Sequence, residues 1–307
     1  MSSLTVSASP VNVPTRQSSS PDYPLELEAE TFRTNFNRAA FRFQHHLAHH
    51  PLFTLPRLVE LSKRLPENHV KYNAGNIPIG EVLYAGPQNG LSVEETIRRI
   101  EECGSWMVLK WVHHDAEYRE LLDRCLDQMQ PLSEPIEPGM CRREAFIFIT
   151  SPRSITPYHV DPEYSFLAHL RGNKTVHVLP TSYLSEQERE RYFHTGKYRL
   201  FTEECREQAA TFNLTPGQGV HVPMATPHWV ENGDAVSISF SLTFRSLGSD
   251  RRTIVGTVND RLRQRGFNPA PYGQSRWRDA AKFYGFRAMR RAGRLLGRPD
   301  RPDEAKY

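Results

Sequence analysis

The chain has 307 residues, 38% of them hydrophobic and 24% charged, and a formal net charge of +4; this is the make-up of a globular protein with polar extensions. No run of about 18 apolar residues occurs, so no membrane-spanning helix is expected, and nothing at the N-terminus has the pattern of a secretory signal. Cys103, Cys125, Cys141 and Cys205 are scattered without a C-x-x-C pair, which argues against a disulfide framework or zinc site and for reduced thiols in a cytoplasmic protein.

The charge is uneven. From Arg245 onward sixteen Lys/Arg stand against six Asp/Glu, so a basic surface belongs to the C-terminal part alone. Residues 1–24 are rich in Ser, Pro and Thr with few large apolar residues, and are read as a disordered leader.

Residues 25–140 read as a mixed α/β lead-in that packs on a β-barrel over 141–246. Phe32, Phe36, Ala40, Phe43 and Leu47 recur at roughly helical spacing, with Pro51 as a stop. On such a helix His45/His49 and His46/His50 stand at i, i+4, a spacing for either a metal pair or an ordinary polar face. A second short helix is expected over Leu55–Leu65, a strand over His69–Tyr72, and a loop from Asn73 to Gly90. Ser92 with Glu95 forms a capping-box pattern for a helix closed by Gly104. Trp106–Val112 reads as a buried strand and Asp115–Met129 as a helix.

From Glu144 the texture becomes all-β. A-F-I-F-I-T, S-F-L-A-H-L, T-V-H-V-L, A-T-F-N-L, G-V-H-V-P and V-S-I-S-F-S-L-T-F succeed one another between Gly, Pro or Asn turns, interrupted by a helical insert at Ser185–Tyr192. Short strands enclosing ligand-type residues predict a mainly β fold with helical extensions, a double-stranded β-helix or jelly roll of cupin type, over 141–246. Residues 247–307 read as a basic helical extension: a short helix over V-N-D-R-L-R-Q-R-G and a longer one from the Ser275 cap to about Leu296.

The chemistry centres on T-P-Y-H-V-D-P-E-Y. His159 and Asp161, two apart on an extended segment, face the same side and make two thirds of the two-histidine, one-carboxylate facial triad that holds non-haem Fe(II). His228, after a glycine turn and a short apolar strand ending in histidine, is the candidate third ligand. Such a triad leaves room for a bidentate 2-oxo acid and dioxygen. The far carboxylate of that co-substrate then needs a cation and a hydroxyl inside the barrel, which Lys174 and Thr156 provide; a buried lysine implies an anionic ligand. His221, His169 and His177 are assigned to strand packing, and Trp229 to closing the barrel mouth.

The pattern T-x-x-H-x-D, a lysine thirteen residues after the aspartate and a distal histidine resembles the JmjC-type cupins among the Fe(II)/2-oxoglutarate dioxygenases, in particular the hydroxylase branch that includes the asparaginyl hydroxylase of the hypoxia response. The resemblance covers roughly Glu144–Arg245. It implies Fe(II) ligation by His159, Asp161 and His228 and 2-oxoglutarate binding by Thr156 and Lys174, with Ser241 and Ser165 standing where the hypoxia enzyme has pocket asparagines. It further implies hydroxylation, with demethylation as a lesser option, of a protein, peptide or small-molecule substrate. The basic extension reads first as a solvated amphipathic helix packing on the barrel or on a second subunit, the resemblance supporting a homodimer through the C-terminal helices, ahead of nucleic acid or membrane contact. A cupin-like metal- or ligand-binding regulator without turnover is the alternative from another class.

Overall fold

A computed structural model describes residues 24–84 and 86–295; the expected leader lies outside them except for Pro24, as does the chain beyond Leu295. In chain order the elements are β1 (Leu25–Glu26), α1 (Ala29–Asn35), β2 (Phe41–His45), α2 (Leu55–Arg64), β3 (Val70–Ala74), α3 (Val93–Arg98), β4 (Ser105–Leu109), α4 (Ala116–Ser133), β5 (Cys141–Thr150), β6 (Ile155–Val160), β7 (Tyr164–Arg171), β8 (Lys174–Val178), α5 (Glu186–Thr195), α6 (Glu204–Gln208), β9 (Ala210–Leu214), β10 (Gln218–Val222), β11 (Pro227–Asn232), β12 (Ser237–Arg245), α7 (Leu247–Arg263) and α8 (Arg276–Leu295).

The strands form two sheets with antiparallel pairings throughout: an eight-stranded one in the order β1-β2-β10-β7-β12-β5-β4-β3 and a four-stranded one in the order β6-β11-β8-β9. The larger sheet has both faces covered, which is why every residue of β12 is buried. On one face Ala145, Ile147 and Ile149 pack with Tyr118, Leu122 and Met129 of α4. On the other, Leu167, Val220 and Val222 meet Val176, Val178 and Val230 of the small sheet. The small sheet's outer face is covered in turn by Ile79, Leu179 and Cys205 around Tyr158 and Trp229. Each layer follows from the period-2 alternation of its strands.

The lead-in supplies β1–β4, which extend both edges of the large sheet. The helix expected over Phe32–Leu47 is corrected: α1 ends at Asn35, and Phe41–His45 is a strand with alternating burial. Of the expected helical stripe only Phe43 falls in this strand; Phe41, Phe43 and His45 instead alternate with a period of two, and pairing with β10 selects the strand. His45 is therefore buried in the sheet while His46 contacts Glu26, and the i, i+4 histidine face does not exist. The capping box of Ser92 and Glu95 is present, although α3 ends at Arg98 rather than near Gly104. At the other end α7 begins at Leu247, eleven residues before the expected helix. Its Gly256 lets α7 approach α5, because a Cβ there would lie 2.8 Å from the ring of Phe193. Arg263 of α7 pairs with the buried Glu190 of α5 across the same contact.

Three buried histidines each use both ring nitrogens as a single neutral tautomer. His221 Nδ1 donates to the Ser165 carbonyl (3.0 Å) while Nε2 accepts from the Asn37 amide (3.2 Å). His169 Nε2 donates to the Gly172 carbonyl (2.8 Å), leaving Nδ1 to accept from Ser239 Oγ (3.1 Å). His45 Nε2 donates to the Gln218 carbonyl (3.1 Å) and Nδ1 accepts from the Leu47 amide (3.2 Å). Burial pushes all three down, to about 3, 3 and 4. The unfolded chain, with ordinary imidazoles near 6.5, binds more protons below that pH, so stability is full above it and falls as pH drops. Each of these groups costs roughly 1.4 kcal/mol per pH unit on the way down. Urea melts should show a steep loss of stability from pH 6 to 4.5, and His221→Gln should flatten that slope.

Candidate metal centre

The antiparallel pairing of β6 with β11 sets His159 directly opposite His228. Their rings lie 4.1 Å apart, centroid to centroid. Asp161 follows one residue beyond the end of β6, its position held by the Ala225 amide, which donates to the Asp161 carbonyl at 2.9 Å. Asp161 Oδ2 is 3.8 Å from His159 Nε2 and 3.6 Å from His228 Nε2. All three ligand atoms fall within 4.8 Å of one another, and among the described residues no other trio of His, Cys, Asp or Glu does so. A bulge between His228 and Val230 follows immediately on β11.

The tautomers suit a metal. His159 Nδ1 lies 2.7 Å from the Pro157 carbonyl and His228 Nδ1 3.0 Å from the Thr226 carbonyl. A carbonyl only accepts, so each Nδ1 carries the proton and each Nε2 presents its lone pair to the centre. Burial, with His159 alongside, pushes the His228 imidazole down to about 4, which keeps it neutral and ready to ligate. Two ligands at right angles on one metal, at about 2.1 Å each, stand about 3 Å apart, so the three side chains draw together by roughly 1 Å to bind one ion. Two imidazoles, one carboxylate and an open side fit Fe(II).

Deeper between the sheets, Thr156 on β6, Lys174 at the start of β8, and Ser165 and Ser241 on the large sheet line the same cavity as the trio, with Phe148, Leu167, Val176 and Val222. Lys174 is 4% exposed and has no hydrogen-bond or ion-pair partner among the described residues; burial alone pushes its ammonium down to about 7. Gly172 makes its position possible, since a Cβ there would meet the Val236 carbonyl oxygen at 2.5 Å. The Thr156 hydroxyl accepts from Trp106 Nε1 at 2.8 Å, and Ser165 and Ser241 are paired, Oγ to Oγ, at 3.2 Å. The cavity thus offers an ammonium and hydroxyl donors, and among the described residues Asp161 is the one acidic side chain that lines it.

His228 is the second residue of β11, not the end of the preceding strand as expected: β10 stops at Val222 and a turn intervenes. Trp229, expected at the barrel mouth, alternates to the outer face of the small sheet, where it stacks on His177 and packs against Phe201. His169 and His221 have both nitrogens committed elsewhere, and His177 lies with Trp229, away from the trio.

Sequence reasoning missed several residues around the site. Trp106 was legible only as part of a buried strand. Glu163 forms a partly buried ion pair with Arg245 (2.8 Å); burial, with Asp161 adding to it, lifts the Glu163 carboxyl to about 7 against the pull of Arg245. Tyr84, with φ +71°, carries Lys110 Nζ over its ring at 4.2 Å, and the carboxylate of Asp161 bears on both. No periodicity or spacing marks these residues: Trp106, Tyr84 and Lys110 reach the site from separate segments, and the partner of Glu163 lies on β12.

Asp161→Ala should weaken binding of Mn(II) or Co(II), measured by calorimetry, by more than about 100-fold, since losing one of three ligands exceeds the 10- to 100-fold cost of an outer-shell change. His177→Ala should leave the affinity unaltered.

No known family profile matches the sequence, and no curated protein is significantly similar to it. Among solved structures, that of Escherichia coli YcfD matches 87% of this chain and 68% of its own, with a TM-score of 0.53 at 15% identity. A structure of YcfD, described as a ribosomal oxygenase from Escherichia coli, in complex with cobalt and 2-oxoglutarate aligns over 87% of this chain and 67% of its own, with a TM-score of 0.47 at 14% identity. The first of these matches establishes that the chain shares the YcfD fold.

Proposed function

We propose that the chain is an Fe(II)- and 2-oxoglutarate-dependent oxygenase of the JmjC type, its two sheets forming a double-stranded β-helix, that hydroxylates a side chain of a protein or peptide. The observation that carries this reading is a buried ammonium, that of Lys174, without a counter-anion among the described residues, in the same cavity as the His159–Asp161–His228 cluster. An unpaired charge in the interior is costly, and a dicarboxylate spanning from the metal to Lys174 removes that cost. A regulator that only bound metal would not need the lysine there. An isomerase or a small-molecule dioxygenase on the same barrel would equally not require it.

In this reading His159, Asp161 and His228 hold the metal, each imidazole fixed by its Nδ1 hydrogen bond to a backbone carbonyl. Lys174 and Thr156 grip the far carboxylate of 2-oxoglutarate, and Ser241 with Ser165 lines the wall between. Bound iron supplies the redox chemistry that couples oxidative decarboxylation of 2-oxoglutarate to insertion of one oxygen atom into a substrate C–H bond, with release of succinate and CO2. Asp161 is partly exposed, its side chain retaining 37% of its accessibility, so the cluster opens toward an incoming side chain as a catalytic rather than a closed structural site does. That YcfD is a ribosomal oxygenase fits a protein substrate. Four free cysteines fit a reducing, cytoplasmic setting.

Aerobic incubation with Fe(II), 2-oxoglutarate and candidate peptides should release succinate, detected by mass, and Asp161→Ala should abolish it; ligand binding with no succinate from any substrate would favour the regulator. Lys174→Met should weaken 2-oxoglutarate binding about 10- to 100-fold, the worth of a charge-assisted bond. Because the free ammonium sits near 7 and a bound carboxylate raises it, binding takes up a proton. The affinity should therefore fall with rising pH above 7, by up to about tenfold per unit.

The homodimer is proposed on α8. Trp277, Ala281, Tyr284, Ala288, Ala292 and Leu295 recur every three or four residues and form one stripe free of charge, with Trp277 at 70%, Tyr284 at 65% and Leu295 at 81% exposure. This is the seam spacing of paired helices. An antiparallel second copy would set Tyr284 against Ala288 and Trp277 against Leu295, large against small at the centre. Trp277→Asp with Tyr284→Asp should halve the mass measured by light scattering while leaving the thermal melt of the barrel in place.

A further inference from the structure

One buried hydrogen bond in the second layer of the pocket has a direction that chemistry dictates. Trp106 Nε1 lies 2.8 Å from Thr156 Oγ1, and both groups are buried. An indole N–H only donates, so Thr156 Oγ1 is the acceptor. A threonine hydroxyl has one proton, and among the described residues no acceptor takes it. The Trp106 ring cannot turn away, since Phe148 (5.9 Å) and Tyr84 (5.6 Å) hold it at centroid contact. Trp106 sits on β4, an edge extension of the large sheet, and its side chain crosses to a residue of β6 in the other sheet. The bond therefore also ties the two sheets together at the pocket.

We propose that Trp106 is a positioning residue for the co-substrate: by occupying a lone pair of Thr156, it orients the hydroxyl proton into the cavity, where Thr156 and Lys174 together receive one carboxylate. Without that N–H, the hydroxyl rotor samples orientations in which its lone pairs face the carboxylate, and the carboxylate repels them. The polarity matters as much as the packing. A phenylalanine at 106 fills most of the volume and supplies no donor, whereas the indole supplies a donor that has nothing to accept. The bond also polarises the O–H that it receives, strengthening donation to an anion. This inference rests on the reading of the cavity as a 2-oxoglutarate site.

A double-mutant cycle tests it. Calorimetric titration of 2-oxoglutarate into the Mn(II)-loaded 307-residue chain is carried out for wild type, Trp106→Phe, Thr156→Val and the double variant. Thr156→Val should lose about 10-fold in affinity and Trp106→Phe about 5-fold, the range of single buried hydrogen bonds. In the Thr156→Val background, Trp106→Phe should change affinity by less than about 2-fold, because the group it acts through is gone. In turnover, Trp106→Phe should raise KM for 2-oxoglutarate with kcat unchanged, and Mn(II) affinity should stay at the wild-type value. Should Trp106→Phe fail to fold, replacement of Trp106 by 3-benzothienylalanine removes only the N–H and keeps the shape of the ring. Equal losses from Trp106→Phe in both backgrounds would show a packing role and overturn the proposal. Wild-type protein that binds Mn(II) but not 2-oxoglutarate would overturn the function reading, and this inference with it.

Discussion

The pairing of β6 with β11 is the constraint on which the site depends. Antiparallel register places His159 and His228 on directly opposed positions, where cross-strand side chains on the same face stand closest. Each imidazole then donates Nδ1–H to a carbonyl two residues earlier in the chain, Pro157 within β6 and Thr226 in the turn that leads into β11, so local backbone sets the orientation of both rings. A slip of one residue would exchange the faces. Trp229 shows what that face is like: the next residue on β11 points outward to stack on His177 and pack under Phe201. Thus the hydrophobic alternation that builds the small sheet also holds the histidines in place, and any change that loosened the outer cluster would reach His159 and His228 through register.

Charge is treated in two ways within a short distance. Arg245 and Glu163 neutralise each other beside the trio, with Asp250 also near Arg245. Lys174 has no such arrangement. Its position follows from the turn at Gly172, which brings the start of β8 against β11 and leaves the side chain in the layer between the sheets. The surroundings there are valines, a leucine and a phenylalanine, which stabilise the sheets by burial and penalise the ammonium by the same dryness. A fold that keeps such a group at the centre of its core has a use for it, and a dicarboxylate ligand is the use that the neighbouring hydroxyls support. The same dryness would strengthen every contact to that ligand once bound.

Local pattern was informative where one period dominated. The strands after Glu144 are short alternating runs between turn residues, and β9 coincides with A-T-F-N-L residue for residue. The helix over Phe32–Leu47 failed because Phe43 fits the helical stripe as well as the period-two run of Phe41, Phe43 and His45, and the edge of β10 was not visible to a local reading. Likewise α7 begins directly after β12, on a Ser246–Ser249 capping box, where apolar residues are sparse and the helical stripe is weak. Its burial comes from docking on α5, so tertiary contact rather than propensity carries it. The segment around His228 was read as one strand ending in histidine; it is two strands, because Pro223 to Thr226 turn the chain between them.

Read alone, the amino-acid sequence determined which residue types were available for chemistry: H-x-D on an extended segment, a distal histidine after a glycine turn, and a lysine beyond another. It also determined the change from mixed to all-β texture, since alternation and turn residues are local properties. Tertiary structure decided that His228 faces His159 across sixty-nine residues of chain, that Lys174 is dry and unpaired, and that Trp106 reaches Thr156 from the other sheet. Those facts depend on strand order and register, which are set by the sum of many weak side-chain contacts between distant segments; no short window of sequence contains both partners of any of them.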